Sequence, residues 1–330
     1  MGDIPVVDVS ALVAGAPGRA GVAAEIGRAC REHGFFYAVG HGVDEGLQER
    51  LERHSREFFA LDLDTKLQVA MARGGRAWRG YFPVGAELTS GEPDLKEGLY
   101  FGDELPPDHP EVLAGTPMHG PNLFPAEPPG LRPAVLEYLD AMTALGATLL
   151  SGIALSLGLD ERYFADRYTG TPFTLFRIFH YPLPEPGQER APWGVGPHTD
   201  YGLLAILKQD DVGGLQVRPR AGDRWLDATP IPNSFVCNIG DMLERLTGGH
   251  YVSTPHRVLP SRDRGRLSWP FFFEPNFHAD VRPAGLAAAA PAAVTDRWDG
   301  ASPHDFRGTY GDYILAKVGK VFPGLSADVL

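Results

Sequence analysis

The apolar positions change their period several times along the first third of the chain. Ile4-Pro5-Val6-Val7-Asp8-Val9 reads as a short strand. Over residues 21–33, Val22, Ile26 and Cys30 recur at helical spacing, and Gly34 stops the run. Phe35-Phe36-Tyr37-Ala38-Val39 predicts a strand from its aromatic and branched content. Residues 47–60 return to helical spacing, with Leu47, Leu51, His54 and Phe58 on one stripe. Residues 73–91 are rich in Gly without a clear period and read as loop. Residues 105–129 carry many prolines and read as a linker or covering loop.

The longest helical pattern spans 133–157, with Pro133 suited to a first helical position and Leu136, Leu139, Leu149, Ile153 and Leu157 facing a core. After it the texture changes to short strand-like runs at 173–181, 203–208, 214–217, 235–239 and 267–273. Gly-Gly, Pro-Asn and Gly-Asp turn signals punctuate these runs. Residues 310–321 read as a closing helix, and the Ala-rich 287–293 as surface loop. Helices followed by many short strands predict a mainly β fold with flanking helices, a helical N-terminal region backing a jelly-roll core. The expected division is 1–125 for the N-terminal region and 126–330 for the core, packed as one compact unit.

Composition narrows the partners. A chain of 330 residues with 43% apolar content can bury a full core. A net charge of -12 argues against nucleic acid or an anionic membrane surface as main partner. Cys30 and Cys237 fit neither a zinc site nor a disulfide framework, so a reducing cytoplasm is the expected compartment. No run of about 18 apolar residues free of charges and breakers is evident, so no membrane span is expected. Nothing points to a large symmetric interface, and a monomer is expected.

The chemistry concentrates late in the chain. His198-Thr199-Asp200 is one of two His-x-Asp triplets, the other being His278-Ala279-Asp280; His109-Pro110-Glu111 is a third arrangement of the same kind. Only the first is followed by a strand-like run, residues 201–208, and residues i and i+2 of a strand share a face. A further imidazole must come from a distant strand. His256 follows Tyr251-Val252-Ser253-Thr254-Pro255, whereas its rival His250 follows the turn Thr247-Gly248-Gly249. Two imidazoles and a carboxylate match the facial triad of non-haem Fe(II) oxygenases, and also suit catalytic zinc. Arg266-Leu267-Ser268 favours iron, because a forked donor set anchors a carboxylate that a hydrolase would not require.

These residues sit in longer stretches that resemble one family. Gly196 to Leu204, Gln209 to Val217 and Ser253 to Val258 look like the iron-binding segments of the isopenicillin N synthase-like 2-oxoglutarate/Fe(II) oxygenases. The Ile4-to-Val9 start and the Gly34-to-Gly42 stretch resemble that family's N-terminal region. Tyr201-Gly202-Leu203-Leu204, Thr247-Gly248-Gly249 and 273–277 are similar to bacterial members, including the bacterial ethylene-forming enzyme. The resemblance implies a double-stranded β-helix and Fe(II) on His198, Asp200 and His256, which decides for His256 over His250. It also implies 2-oxoglutarate held at its far carboxylate by Arg266 and Ser268. A Tyr of an Asn-Tyr-Tyr-Pro motif often assists; here Tyr181 matches, while Phe179 replaces the Asn.

The implied activity is oxidation of a small molecule with O2, by hydroxylation, desaturation or other chemistry, coupled to decarboxylation of 2-oxoglutarate to succinate and CO2. Isopenicillin N synthase and the plant aminocyclopropane carboxylate oxidase carry the same Arg-x-Ser without using 2-oxoglutarate. An oxidase of that kind, an ethylene-forming enzyme or an inactive binding module of the same fold are therefore the alternatives. Tyr81, Phe101, Tyr201, Phe271 and Phe273 are the candidate substrate-pocket residues, with Arg79, Glu87 and Lys96 as candidates for recognising a polar substrate.

Overall fold

The computed structural model describes residues 3–183, 193–219, 224–260, 263–283 and 302–324. The alanine run at 287–293 lies outside them. Strand β1 (Val6–Asp8) leads through α1 (Ser10–Val13) and α2 (Arg19–Glu32) to β2 (Phe35–Val39). Between α2 and β2 the chain turns at Gly34, with φ +68°; a Cβ there would lie 2.3 Å from Thr254 Oγ1, so both backbone and space demand glycine. Helix α3 (Glu45–Phe59) starts where the Asp44 carboxylate accepts the Leu47 N–H. Next come α4 (Leu63–Leu67), β3 (Gly80–Phe82), β4 (Glu97–Gly102) and α5 (Pro110–Leu113).

The second half opens with α6 (Leu131–Ser156) and α7 (Tyr163–Arg167), then β5 (Phe173–Tyr181), β6 (Val195–His198), β7 (Leu204–Gln209) and β8 (Leu215–Val217). It closes with β9 (Leu226–Asp227), β10 (Phe235–Ile239), α8 (Asp241–Leu246), β11 (His256–Val258), β12 (Arg266–Glu274) and α9 (Tyr310–Val321). Helix α9 carries a capping box, Thr309 and Asp312 satisfying each other's backbone N–H groups.

Eight strands form one sheet in the order β1-β2-β10-β7-β12-β5-β4-β3, and four form a second in the order β6-β11-β8-β9. The two sheets enclose a cavity lined by alternate residues of each, as a jelly roll requires. The far face of the large sheet carries α6, which packs on α2, α3 and β12. Gly146 lets that helix approach closely, since a Cβ there would lie 2.6 Å from the Phe273 ring.

Several sequence expectations change in detail. Pro133 is the third residue of α6, not the first; its missing N–H belongs to the unbonded first turn either way. Residues 73–91 hold β3 and a 3-10 turn at Gly75–Ala77, directly after another at Met71–Arg73. Strand β4 has no counterpart among the expected elements. It is buried along its whole length, so no polar alternation marks it. The proline-rich 105–129 contains α5 and packs as a covering loop, with Asn122 bonding both backbone groups of Gly102. Helix α6 is long and apolar enough to cross a membrane by length and composition, contrary to expectation; half of that window is buried, as in a core helix. Cys30 and Cys237 are free and buried.

Candidate metal centre and active site

His198 ends β6 and His256 opens β11, and the two are direct partners in the antiparallel ladder. Their rings therefore stand side by side, with centroids 4.2 Å apart. Each Nδ1 faces a backbone carbonyl, Gly196 O at 2.8 Å and Thr254 O at 3.2 Å. Protonation at Nδ1 leaves Nε2 of both rings as free lone pairs aimed at one point. Burial, and then the neighbouring His256, push the His198 imidazole down to about 3, which keeps it neutral.

Asp200 completes the group from outside any strand. Its Oδ1 lies 4.0 Å from His198 Nε2 and 3.7 Å from His256 Nε2. The expectation that His198 and Asp200 project from one strand is corrected: β6 ends at His198 and β7 starts only at Leu204. Other contacts hold the loop. Asn238 on β10 donates to Asp200 Oδ2 at 2.7 Å, and the Asp241 N–H bonds Asp200 O at 2.9 Å. The Glu274 carboxylate accepts the Leu203 N–H at 3.0 Å, and it approaches Gly202 so closely that a Cβ there would fall 1.0 Å from Oε2.

Among the described residues these three are the one group of His, Cys, Asp and Glu arranged to hold a metal ion. Their donor set, two neutral imidazoles and a carboxylate, suits Fe(II) and leaves the opposite side open. The other triplets have structural explanations. His278 pairs with Glu111 at 3.1 Å, so the two spare motifs hold each other. His250 follows the turn and lies beside the Tyr251 ring, outside the group.

Arg266 stands in the same cavity, only 2% exposed, with its guanidinium over the Tyr181 ring at 4.7 Å. Its Nε and Nη1 are buried with no hydrogen-bond partner. Leaving such donors unpaired is costly, and a ligand carboxylate beside Ser268 would satisfy them. Strand β12 alternates from there. Arg266, Ser268, Pro270, Phe272 and Glu274 face the cavity, while Trp269, Phe271 and Phe273 are buried on the helix side.

That alternation corrects two expected pocket residues, Phe271 and Phe273: Phe272 lines the cavity instead. Tyr201 does line it. Tyr81 does not; it donates to Glu97 on the outer side of β4. Phe101 stacks between Phe124 and Phe176 in the core. Arg79 is buried away from the cavity, donating to Met118 O at 3.0 Å. Glu87 and Lys96 do line it, paired at 2.9 Å, with Asp94 also bonded to Lys96 and Tyr100 donating to Glu87. Arg177, Asn238 and Glu274 escape the sequence reading. Parity could have found two of them, since Tyr181 and Arg177 share a face of β5, and Arg266 and Glu274 a face of β12.

Comparison with known proteins agrees with this geometry. Residues 4–127 match the family model described as non-haem dioxygenase in morphine synthesis N-terminal, and residues 172–275 match the 2OG-Fe(II) oxygenase superfamily. The chain is 48% identical to a probable iron/ascorbate oxidoreductase of Dictyostelium discoideum, over 94% of this chain and 91% of that one. It is 37% identical to the 1-aminocyclopropane-1-carboxylate oxidase of the same organism, over 97% and 95%. It is 36% identical to a homoarginine-6-hydroxylase of Arabidopsis thaliana, over 96% of each. A full-length Neurospora crassa protein in complex with alpha-KG superposes with TM-score 0.74 and 28% identity, over 96% of each chain. The jelly roll and the clustered His198, Asp200 and His256 agree with those matches, and the chain belongs to the 2OG-Fe(II) oxygenase superfamily as an oxidoreductase that uses Fe(II) and 2-oxoglutarate.

Proposed function

We propose that His198, Asp200 and His256 hold the Fe(II), that Arg266 and Ser268 anchor the far carboxylate of 2-oxoglutarate, and that Tyr181 supports the Arg266 plane. The observation that carries this reading is the buried Arg266 fork, unpaired at Nε and Nη1, in the cavity that holds the triad. When bound, the iron, 2-oxoglutarate and O2 supply the oxidising chemistry, with succinate and CO2 as by-products. The chain's residues supply orientation. Asn238 fixes the Asp200 carboxylate, the Asp241 N–H holds the Asp200 backbone carbonyl, and the cavity's apolar walls, Phe35, Val195 and Leu215 among them, exclude water.

The substrate in this reading is a small amino acid. Two relatives are named for such compounds, homoarginine and 1-aminocyclopropane-1-carboxylate. The Glu87–Lys96 ion pair gives the cavity wall a polar stretch that suits such a charged compound. A monomeric, cytoplasmic enzyme without nucleic-acid or membrane partners completes the proposal, supported by the net charge of -12 and two unpaired cysteines.

Anaerobic protein with Fe(II) should develop a visible absorption band on adding 2-oxoglutarate. Arg266→Gln should raise the 2-oxoglutarate concentration needed by at least tenfold while Fe(II) affinity stays within about twofold, since it removes a charge-assisted pair worth more than about 1.5 kcal/mol. An amino-acid screen should give succinate in step with a modified substrate. Turnover that proceeds equally well without the keto acid would replace this reading with an oxidase that draws its electrons from the substrate.

A further inference from the structure

The cavity holds a second guanidinium, Arg177 on β5, that the cofactor chemistry leaves unused. It shares the inward face of that strand with Tyr181, four residues on, which places it roughly 13 Å from the Arg266 end at about 3.3 Å per residue. Its plane is fixed by two rings. The guanidinium carbon lies 4.2 Å from the Tyr100 centroid and 5.0 Å from that of Phe272. Its edge is the part left to bind.

Nothing in the described protein occupies that edge. Nε of Arg177 is buried with no hydrogen-bond partner. The nearest carboxylate, Glu87, stays 3.8 Å from Nη1, beyond hydrogen-bond length, because Lys96 Nζ at 2.9 Å and the Tyr100 hydroxyl already hold it. A guanidinium at the wall of a ligand cavity, stacked, buried and unpaired at its edge, presents the planar fork that matches a carboxylate. His198, Asp200 and His256 line the same cavity as Arg177, so a ligand on its edge shares that cavity with the metal group.

We propose that Arg177 anchors the carboxylate of the primary substrate, at the opposite end of the cavity from the 2-oxoglutarate anchor, so that the enzyme selects small carboxylic acids and sets their carbon chain across the metal. This rests on the reading that iron and 2-oxoglutarate occupy the same cavity. A neutral carbonyl could meet one N–H of Arg177. Of the two, a carboxylate meets both the fork and the buried charge.

The test uses full-length protein loaded anaerobically with Fe(II) and 2-oxoglutarate, where the visible band itself shows that the cofactors are in place. A panel of free amino acids, hydroxy acids and aromatic acids, each beside its primary amide, is titrated while the shift of that band is followed. At least one acid should bind tenfold or more tighter than its amide. Arg177→Gln should lose that preference by at least tenfold, and Arg177→Lys should recover part of it. Both variants should keep the parent's 2-oxoglutarate affinity within threefold, and the band they form verifies that they fold. The proposal is overturned if amides bind as well as acids, if no acid binds, or if Arg177→Gln weakens 2-oxoglutarate instead. Failure to form the band in the parent protein would sink the cofactor assignment rather than this one.

Discussion

Asn238 is not one of the three metal-holding residues, yet its side chain sets where the Asp200 carboxylate points. Its amide donates to Oδ2 at 2.7 Å and leaves Oδ1 turned towards the two imidazoles. Asn238→Ala should lower Fe(II) or Mn(II) affinity about 10- to 100-fold in an anaerobic titration, the usual effect of losing a partner behind a metal ligand. Unchanged affinity would mean that the Asp241 N–H holds the loop alone. Glu274 gives a second test, read in stability. Burial pushes its carboxyl up to about 8 from the ordinary 4.5. Between those values the folded state keeps a proton that the unfolded state releases, so this group costs stability as pH rises. Glu274→Gln, which removes the titration, should therefore gain stability relative to the parent between pH 5 and pH 8, on the order of a few kcal/mol. Urea unfolding at both pH values measures it, and a constant difference would refute it.

At the scale of the element, β12 shows what the sequence could and could not reveal. Its apolar run Trp269 to Phe273 shows no alternation by residue type, because one face meets the helices and the other the cavity, and both are apolar. Parity counted from Arg266 separates them; ring size alone picks the wrong faces. Phe273→Ala should cost roughly 3–5 kcal/mol in chemical unfolding, as it opens a void against Gly146. Phe272→Ala, on the cavity side, should cost much less stability and act instead on substrate affinity. Equal losses in the two variants would contradict the assignment of faces. The long motifs around His198, His256 and Arg266 were legible because metal and carboxylate chemistry fixes residue types. Strands β3 and β4 were not, being short, buried and built around Gly80, Gly98 and Gly102.

Across the whole molecule, the N-terminal region is not an appendage to the barrel. Strands β1 and β2 extend one side of the large sheet and β3 and β4 the other, and Phe35, Glu87 and Lys96 line the cavity. Residues 126–330 expressed alone would bare the edges of β10 and β5 and lose that wall. The fragment should show no cooperative melting and aggregate, whereas the full chain should melt in one transition by calorimetry. A stable, iron-binding fragment would instead make the two regions separable domains.

The contact between Gly202 and Glu274 also limits how this protein can change over generations. A side chain at position 202 must push the Glu274 carboxyl off the Leu203 N–H and into the cavity that Glu274 lines, whereas a shorter residue at 274 leaves room for it from the start. Of the two mutational routes to a double variant, one passes through a folded intermediate and the other through a collision. Descendants that carry a side chain at 202 should therefore carry a small residue at 274, with the substitution at 274 the older event.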